Sequence, residues 1–501
     1  MEGPPGSGKS FLSQPIAEAA RAAGTNVYVT STSWRATDVV KEETETAGNA
    51  AKCMRAFLLR LNPRHPDAIT LDSDSMVIVD EGSMIDLTSM SQLIEKANGA
   101  RIVIIGDTRQ LSPIGNGSPM AAILTVLPGH RLENIRRQAE QWQKETSEMF
   151  SRGQHSEAFE AYDSHGCVHW IDGREATIRR LVDDWEADLT TKPSGERLCL
   201  AYRHADVHDI NDGCRAVYRA AGRLHGPDFE LRAIGRGRRA VPAGIRLASG
   251  DRVIFGETLE VNGIAVRNSD MGTVEAITGS PKNPLLRIRL DKGVSIEAEW
   301  SAFVGKRPHD CGENYRVPKV QNSFCVSIHS SQGLTIGSGN PDNRVHGSTF
   351  VYNSGLGAQS SLVAMTRHVD DCHVYVETSR VRDRIICRKS SRGVVVDGRG
   401  RLEAPDAEDA GVIETAIIDD DIKAEVLKEV ATSEIKRNCV DFVNNVHDWL
   451  NGREKLGTVS EDIRSVSVKA ADRTEISSNA VISDGSIKQQ RGRYRRNAIS
   501  I

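Results

Sequence analysis

The sequence lacks the features of membrane, secreted and zinc-ribbon proteins. No apolar run approaches the roughly 20 residues that cross a bilayer, and the N-terminus shows no secretory signal. The nine cysteines are scattered and never form a C-x-x-C pair, which argues against a disulfide framework and fits a reducing compartment. We therefore expect a cytoplasmic protein with no membrane partner.

The chain also lacks a strong excess of charge of either sign. The formal net charge is −4, so the protein is not a general binder of polyanions, and any contact with DNA would depend on a local basic groove. The composition, 39% hydrophobic and 26% charged, is that of an ordinary globular protein. Composition alone does not select a function.

A chain of 501 residues is too long for one core, and its hydrophobic pattern divides it. Residues 1–135 alternate β-branched strands with helical stretches, which predicts a parallel sheet covered on both faces. Residues 136–225 are predicted to be a helical connection that leads into a second parallel-sheet domain. The remainder of that domain is predicted at residues 316–388.

Two segments depart from this pattern. Residues 226–315 contain short strands separated by Gly, Pro, Asn and Asp, which predicts a small antiparallel barrel inserted in the second domain. Residues 389–501 form a polar extension that we expect to be partly helical, near residues 413–452, and partly disordered. The extension ends in several arginines, which form either a DNA-docking end or a solvated tail.

The most specific motif lies at the start of the chain. It fits G-x-x-x-x-G-K-[ST], the P-loop, and comprises Gly3, Pro4, Pro5, Gly6, Ser7, Gly8, Lys9 and Ser10. Glycines let backbone N–H groups turn toward phosphate oxygens. We expect Lys9 to reach the β and γ phosphates of ATP and the Ser10 hydroxyl to bind Mg²⁺. A chance glycine-rich turn is the alternative interpretation.

Two later strands end in polar residues. Asp80 and Glu81 stand at the end of a buried strand. Asp80 is expected to bind Mg²⁺, and Glu81 is expected to orient and deprotonate the attacking water. Gln110 lies in the loop after the next strand, where it is expected to sense the γ-phosphate. Each feature alone would pass for a solvated strand end or a turn. Their order after a P-loop favours a nucleotide site.

These elements together resemble superfamily 1 helicases, and three further segments match that family in order. Residues 132–138 resemble its L-x-x-x-x-R-Q segment, with Arg137 at the arginine position. Residues 327–335 resemble T-x-H-K-S-Q-G-x-T, and residues 362–368 resemble the final V-A-x-T-R motif, which ends at Arg367. The RecD-like branch, superfamily 1B, fits best, and above all the helicase part of TraA/TraI-type conjugative relaxases. The resemblance extends over residues 1–385.

The resemblance implies an α/β fold with two RecA-like motor domains and an SH3-like β-barrel inserted in the second. It implies ATP and Mg²⁺ as cofactors, with Arg137 and Arg367 contacting the transferred phosphate and Gly333 in the nucleotide site. It also implies 5′-to-3′ movement on single-stranded DNA and at duplex junctions. Conjugation or repair proteins are the expected partners.

The resemblance implies DNA contacts at four residues, which are Thr32, Trp34, His329 and Gln332. Family members hold single-stranded DNA in a groove across both motor domains, with stacking platforms and phosphate contacts. The segment around Trp34 lacks the family's usual A-P-T-G-K-A-A form. Trp34 is therefore expected to be either a base-stacking platform or a buried core residue.

The sequence departs from the family in several places. The P-loop normally follows a central strand and an upstream adenine-reading glutamine, whereas here it begins at Gly3, so we expect uncovered apolar surface and unpaired ladder groups. Pro15 falls within the expected helix after the P-loop, where a proline costs about 3 kcal/mol. Gly82 and Ser330 replace the usual alanine and lysine.

These departures leave three interpretations open. The chain is an active helicase, a translocase that moves on DNA without unwinding it, or a truncated, catalytically impaired DNA-binding remnant of a relaxase–helicase. His204 and His208, four residues apart, lack the glutamate of a zinc-protease motif and are interpreted as surface histidines. No nucleophilic tyrosine or histidine cluster lies near the N-terminus, so strand nicking is not predicted.

Overall fold

The computed structural model describes residues 1–48, 50–233, 243–308, 314–391 and 417–435. The N-terminal part contains four parallel strands, with bounds Asn26–Ser31 (β1), Ala51–Cys53 (β2), Ser75–Asp80 (β3) and Arg101–Ile104 (β4). They form one sheet in the order β2-β1-β3-β4. The central strands β1 and β3 are almost wholly buried, which is why both are rich in β-branched residues.

Helices cover both faces of this sheet. Their bounds are Ser13–Ala22 (α1), Trp34–Glu43 (α2), Met54–Arg60 (α3), Leu87–Glu95 (α4) and Pro119–Leu124 (α5). Successive residues of β3 point to opposite faces, so Ile78 packs with α1 and α2 while Val77 and Val79 pack with α3 and α4. The predicted parallel sheet with helices on both faces is confirmed.

The segment ahead of the P-loop corrects one expectation. Glu2 forms parallel bridges with Gly106 on one side and Arg131 on the other. The amide of Glu2 donates to the carbonyl of His130 (2.7 Å), and the amide of Gly106 donates to the carbonyl of Met1 (3.2 Å). The expectation of unpaired ladder groups was therefore wrong at Met1 and Glu2, although within the described residues isolated bridges and no full strand precede the P-loop. The side chains of β4 nevertheless remain half-buried or exposed, as the same argument predicted.

Pro15 corrects a second expectation. The chain after Lys9 makes a 3₁₀ turn over Ser10–Leu12, and the α-helix begins only at Ser13. Pro15 is thus in the first turn of α1, where backbone N–H groups have no partner within the helix. The expected helix-interior penalty does not apply, because a proline in the first turn gives up no hydrogen bond within the helix.

A second parallel sheet has five strands. Their bounds are Val168–Ile171 (β5), Glu196–Ala201 (β6), Cys325–Ser327 (β18), Gly347–Asn353 (β19) and Asp371–Glu377 (β20). The order is β18-β6-β19-β20-β5, with every pair parallel. All seven residues of β19 are buried, as expected for the centre of a sheet covered on both faces.

Seven further helices accompany this sheet. They are Gln141–Arg152 (α6), His155–Ser164 (α7), Arg174–Thr191 (α8), His204–Ala220 (α9), Ala358–Met365 (α10), Thr378–Ser391 (α11) and Asp419–Val430 (α12). One core surrounds Trp185 of α8 and Ile210 of α9. The other joins Phe159 of α7, Val363 of α10 and Val426 of α12. The fold is therefore α/β, with two parallel sheets.

Between β6 and β18 the chain is antiparallel. The strands are His225–Ala233 (β7), Ala243–Ser249 (β8), Arg252–Phe255 (β9), Leu259–Val261 (β10), Ile264–Val266 (β11), Met271–Thr278 (β12), Leu285–Leu290 (β13), Ser295–Glu299 (β14), Val304–Pro308 (β15), Asn314–Pro318 (β16) and Val320–Asn322 (β17). Five of them form a sheet in the order β14-β13-β12-β9-β17, around a core that includes Phe255, Trp300 and Phe303. The antiparallel character is confirmed, whereas an SH3-like barrel stays a prediction.

Part of the polar extension is ordered against the second sheet, because α12 contributes Ile422, Val426 and Val430 to its core. This helix lies within the range predicted to be helical. The chain divides into two compact units, Met1–Asn438 and Cys439–Ile501, and the second unit is outside the described residues. Within the described ranges, no helix combines the length and the apolar character needed to cross a bilayer.

A buried ion pair ties the antiparallel segment to α9. The guanidinium of Arg215 donates two hydrogen bonds, from Nε (3.0 Å) and Nη2 (2.9 Å), to the fully buried carboxylate of Asp251. It also donates to Asp228, which Arg219 contacts from a more exposed position. Burial raises the pKa of Asp251, whereas hydrogen bonding from Arg215 lowers the pKa of Asp228 to about 2.

We expect Arg215→Leu to destabilise the protein by about 3–5 kcal/mol, because it leaves the Asp251 carboxylate buried without its cation. Arg219→Leu, which removes an exposed partner of Asp228, should cost less than about 1 kcal/mol. Urea denaturation followed by circular dichroism measures both. Equal shifts in the two midpoints would show that the buried pair is no more important than its exposed neighbour.

Candidate active site

The P-loop sits at the carboxyl edge of the first sheet. Gly6 and Gly8 both have positive φ values (77° and 83°), a conformation that favours glycine. A Cβ on Gly6 would lie 2.6 Å from the Cβ of Arg137, so the glycine also permits close approach of residues 132–138. The amide of Arg136 donates to the carbonyl of Gly6 (2.9 Å). The structure therefore brings the predicted P-loop and the predicted arginine segment together.

Lys9 is half-buried and folds back on its own loop. Its Nζ donates to the carbonyl oxygens of Gly3 (2.6 Å) and Pro4 (2.9 Å). Burial lowers the pKa of Lys9, against the opposing influence of the Asp107, Glu81 and Asp80 carboxylates. The ammonium is hydrogen-bonded to neutral carbonyls in its own loop, and three carboxylates lie near it. It can therefore exchange these carbonyls for a phosphate while it stays in the site.

The end of β3 supplies two carboxylates. The Ser10 hydroxyl lies 3.5 Å from Oδ2 of Asp80, which is the arrangement expected of two oxygen ligands for one Mg²⁺. Burial and the neighbouring Glu81 raise the pKa of Asp80 to about 7. Both observations fit a cation site, because a cation would offset the cost of holding these acids close together.

Glu81 has an unusual backbone. Its φ and ψ are 50° and 39°, in the left-handed region, where a non-glycine residue costs on the order of 1–3 kcal/mol. Its Oε2 is buried and makes no hydrogen bond within the described chain. The next residue is Gly82, where a Cβ would lie only 2.4 Å from a side-chain carbon of Ile104. This close approach explains why the family's alanine is absent here. The strained turn thus presents an oxygen, Oε2, for which no described residue competes through a hydrogen bond.

Asp107 is a site residue that the sequence reasoning did not single out. It is buried, and it accepts hydrogen bonds from Nε2 of Gln110 (3.1 Å) and from the amide of Arg109 (3.1 Å). Burial raises its pKa, and Lys9 opposes that rise. Asp107 follows β4, just as Asp80 ends β3. Its position after a predicted parallel strand is the sequence feature that could have identified it as a site residue. It holds Gln110 within this cluster.

Two arginines face the same acids from the other side. Arg137 donates from Nη1 to the carbonyl of Thr366 (2.8 Å), and Arg367 donates from Nε to the carbonyl of Val363 (2.8 Å). Burial, together with the charge of Arg367, lowers the pKa of Arg137 to about 9. Burial lowers the pKa of Arg367 to about 10, against the influence of Glu81 and Asp107. Arg367 follows α10 on the second sheet, so the cluster joins the two sheets.

The segment after Arg137 connects the two sheets through hydrogen bonds. Gln138 donates from Nε2 to the carbonyl of Thr366 (3.3 Å), and the amide of Ala139 donates to the carbonyl of Val369 (2.8 Å). These contacts fix the two arginines relative to each other. The L-x-x-x-x-R-Q pattern included Gln138, but nothing in the sequence revealed its backbone partners.

A separate cleft of about 1230 Å³ lies beside the acidic cluster and reaches Glu81. It is lined by three of the four residues expected to contact DNA, Thr32, His329 and Gln332, and also by Gly333. Both polar atoms of the Gln332 amide are buried without a hydrogen-bond partner within the described chain. Gly333 was expected in the nucleotide site and lies instead at this cleft, while its role stays a prediction.

The antiparallel segment forms another wall of the cleft, and the charges of the lining are mixed. Arg246 lies 3.4 Å from Asp212, and Lys319 lies 3.9 Å from Glu257. The cleft is therefore polar without a uniform basic surface. The sequence of the antiparallel segment also contains Arg236, Arg238 and Arg239, which are interpreted either as phosphate contacts or as a solvated turn, and which lie outside the described residues.

Trp34, the fourth expected DNA contact, begins α2, whose N-terminus is capped by the Ser33 hydroxyl (3.1 Å to the amide of Ala36). Its ring is half-buried and covered by the guanidinium of Arg267 at 4.1 Å. Arg35 donates to the carbonyl of Ser269 (2.9 Å) beside it. The structure thus gives Trp34 a cation–π partner in the antiparallel segment, and a base could stack on that face of the indole only if Arg267 moved away.

The histidines that we discounted as a metal site lie on the cleft wall. His204 and His208 are exposed, and His208 lies 3.5 Å from Asp209. Within the described ranges, one group has metal-ligand spacing, Asp188 with His346 and Asp371. Lys192 donates to both of its carboxylates, at 3.0 and 2.5 Å, so those acids already have a cation.

Comparison with known proteins agrees with these motifs. Residues 1–173 match the family described as AAA domain. The probable conjugal transfer protein TraA of Sinorhizobium fredii is 28% identical over 373 residues, which cover 74% of this chain and 30% of that protein. The ATP-dependent RecD2 DNA helicase of Deinococcus radiodurans is 30% identical over 141 residues, or 28% of this chain and 19% of that protein.

A solved structure of Bacteroides Pif1 bound to single-stranded DNA covers 78% of this chain and 93% of that chain, at 16% identity and a TM-score of 0.46. The chain spans about a third of the length of the TraA proteins it matches. The resemblance inferred from the motifs is confirmed by the sequence relatives. The chain is thus similar to the TraA conjugal transfer proteins over most of its length and to the RecD2 helicase over 141 residues.

Proposed function

We propose that this chain is an ATP-driven motor that moves on single-stranded DNA and unwinds duplex at junctions. One observation carries the proposal: a P-loop lysine and two strand-end carboxylates of the first sheet face two arginines, one in the connection after α5 and one after α10 of the second sheet. Phosphoryl transfer in motor proteins needs phosphate-cradling groups on one side of a cleft and cations on the other. The RecD2 relative, which is named an ATP-dependent DNA helicase, supports the same activity.

Each residue has a distinct role in this proposal. The P-loop amides and Lys9 bind the β and γ phosphates of ATP, and Gln110, held by Asp107, contacts the γ-phosphate. Ser10 and Asp80 would hold Mg²⁺, which supplies positive charge to the phosphate oxygens when bound. Glu81 orients the attacking water and accepts its proton. Its buried, unpaired Oε2 supports this role, because no other described side chain competes for that atom.

The two arginines supply the coupling between chemistry and movement. The γ-phosphate would offset the repulsion between Arg137 and Arg367, and their pull on it draws the second sheet toward the first. Hydrolysis and phosphate release remove that attraction, and the cleft opens. Thr32 and Gln332 line the adjacent cleft from opposite sides. A change in the gap between the sheets would therefore change the grip on a strand held there.

Direction and biological setting follow the relatives. We infer 5′-to-3′ movement, as expected of the RecD-like branch, and a role in conjugative transfer, as the names of the TraA relatives support. DNA repair is the other setting consistent with the RecD2 match. The proposed partners are single-stranded DNA, duplex junctions, and conjugation or repair proteins.

We expect Lys9→Ala to lower DNA-stimulated ATP hydrolysis by roughly 100-fold or more, because it removes the cation that contacts the transferred phosphate. Lys282→Ala changes an exposed lysine far along the chain and is the matched control. Phosphate release with and without single-stranded DNA measures both. Folded wild-type protein that shows no turnover would favour the alternative function, a DNA-binding remnant that has lost hydrolysis.

Glu81→Gln should lower the rate of hydrolysis by roughly 100-fold or more while leaving nucleotide affinity nearly unchanged, because the amide keeps the shape but accepts no proton. Fluorescent-nucleotide binding and single-turnover hydrolysis separate the two effects. Asp86→Asn, which alters a carboxylate that caps α4, provides the control. An equal loss of nucleotide binding and hydrolysis in Glu81→Gln would contradict the assignment of Glu81 as the base.

Strand displacement tests unwinding and direction. A duplex with a 5′ single-stranded tail should be separated in an ATP-dependent reaction, whereas a duplex with a 3′ tail should not, because the motor loads on single-stranded DNA and moves one way. ATP hydrolysis with no displacement of either substrate would instead indicate a translocase. Displacement from the 3′ tail alone would overturn the proposed direction.

A further inference from the structure

The segment of residues 417–435, which we call the strap, lies beyond the range of the helicase resemblance and yet packs on the second sheet's helices. Three of its apolar side chains, Ile422, Val426 and Val430, are buried there. Lys423 donates to Asp163 of α7 (2.6 Å), and Arg384 of α11 donates to Glu429 (2.7 Å). The strap is therefore part of the folded body that carries Arg367.

The strap ends at the N-terminus of α10. That helix has Gly357 as its N-cap and so has no capping side chain of its own. The Glu434 carboxylate accepts a hydrogen bond from the amide of Ser360 (2.7 Å) and another from its hydroxyl (3.0 Å). The amide of Ala358 donates to the carbonyl of Thr432 (2.9 Å). A distant part of the chain thus satisfies the free N–H groups that begin this helix.

The other end of α10 carries the arginine of the active site. All eight residues of the helix are buried. Thr366 and Arg367 follow it directly and are bonded to its last turn, through Thr366 Oγ1 to the carbonyl of Leu362 (2.6 Å) and Arg367 Nε to the carbonyl of Val363 (2.8 Å). A displacement of the helix along its axis would therefore move the Arg367 guanidinium by the same amount.

We propose that Glu434 is a positioning residue for ATP hydrolysis: it anchors the N-terminus of α10 and thereby fixes Arg367 at the opposite end. The carboxylate suits this place because a negative charge is favourable at the positive end of a helix dipole. Gly357 leaves room for it, since a Cβ at that position would lie 2.6 Å from Cδ of Glu434. The inference rests on the proposed ATPase function, and it assigns a role in that function to a residue outside the family motifs.

The test compares Glu434→Ala with Glu434→Gln in the full chain. The alanine variant should lower kcat for DNA-stimulated ATP hydrolysis roughly 10-fold, because a misplacement of about 1 Å can reduce a rate by up to about 100-fold. Its KM for ATP should stay within about twofold, since the P-loop is untouched. The glutamine variant keeps an oxygen acceptor and should restore most of kcat.

Glu429→Ala is the matched control, because it loosens the same strap by removing a contact with Arg384, which belongs to α11. Amide hydrogen exchange should increase over residues 358–367 in Glu434→Ala and not in the control. An unchanged kcat in Glu434→Ala, or equal losses of kcat in both variants, would overturn the inference. Absent turnover in the wild-type protein would instead reject the proposed function itself, and with it the role of Glu434.

Discussion

Two buried guanidinium groups set the main electrostatic constraint on this molecule. Burial lowers the pKa of both arginines, and the charge of Arg367 lowers that of Arg137 further. Backbone carbonyls are their hydrogen-bond acceptors within the described chain. Like charges repel strongly where water is excluded. Glu81 offsets the charge of both arginines and Asp107 offsets that of Arg367, and both acids follow strands of the first sheet. Holding the two sheets together at this point therefore keeps these acids beside the arginines.

The local elements of the first sheet could be predicted from the sequence. Runs of β-branched residues at β1, β3 and β4 define strands by composition alone, and strand-end carboxylates follow because parallel strands present their carboxyl ends at one edge. Asp80 and Glu81 were found in this way. The same argument applied to Asp107 would have found it as well, since it follows the next strand along the sheet.

Features that depend on distant segments could not be predicted. Whether Pro15 disrupts a helix depends on where the helix begins, and a 3₁₀ turn moves that start past the P-loop. The cover over Trp34 comes from Arg267, more than 200 residues away along the chain. The cap on α10 comes from Glu434. Hydrophobic periodicity records which face of an element is buried, but it does not record which segment covers that face.

The contact between Trp34 and Arg267 connects the antiparallel segment, which belongs to the second sheet, to a helix of the first sheet. The antiparallel segment leaves the second sheet after β6 and returns to it at β18. Its turn at residues 267–270 contacts α2 of the first sheet in two places. Arg267 lies over the indole ring of Trp34, and Arg35 donates a hydrogen bond to the carbonyl of Ser269. The two sheets are thus linked at residues 137–139 and again through this turn. Any relative motion of the sheets must therefore either carry the turn along or break its contacts with Trp34 and Arg35.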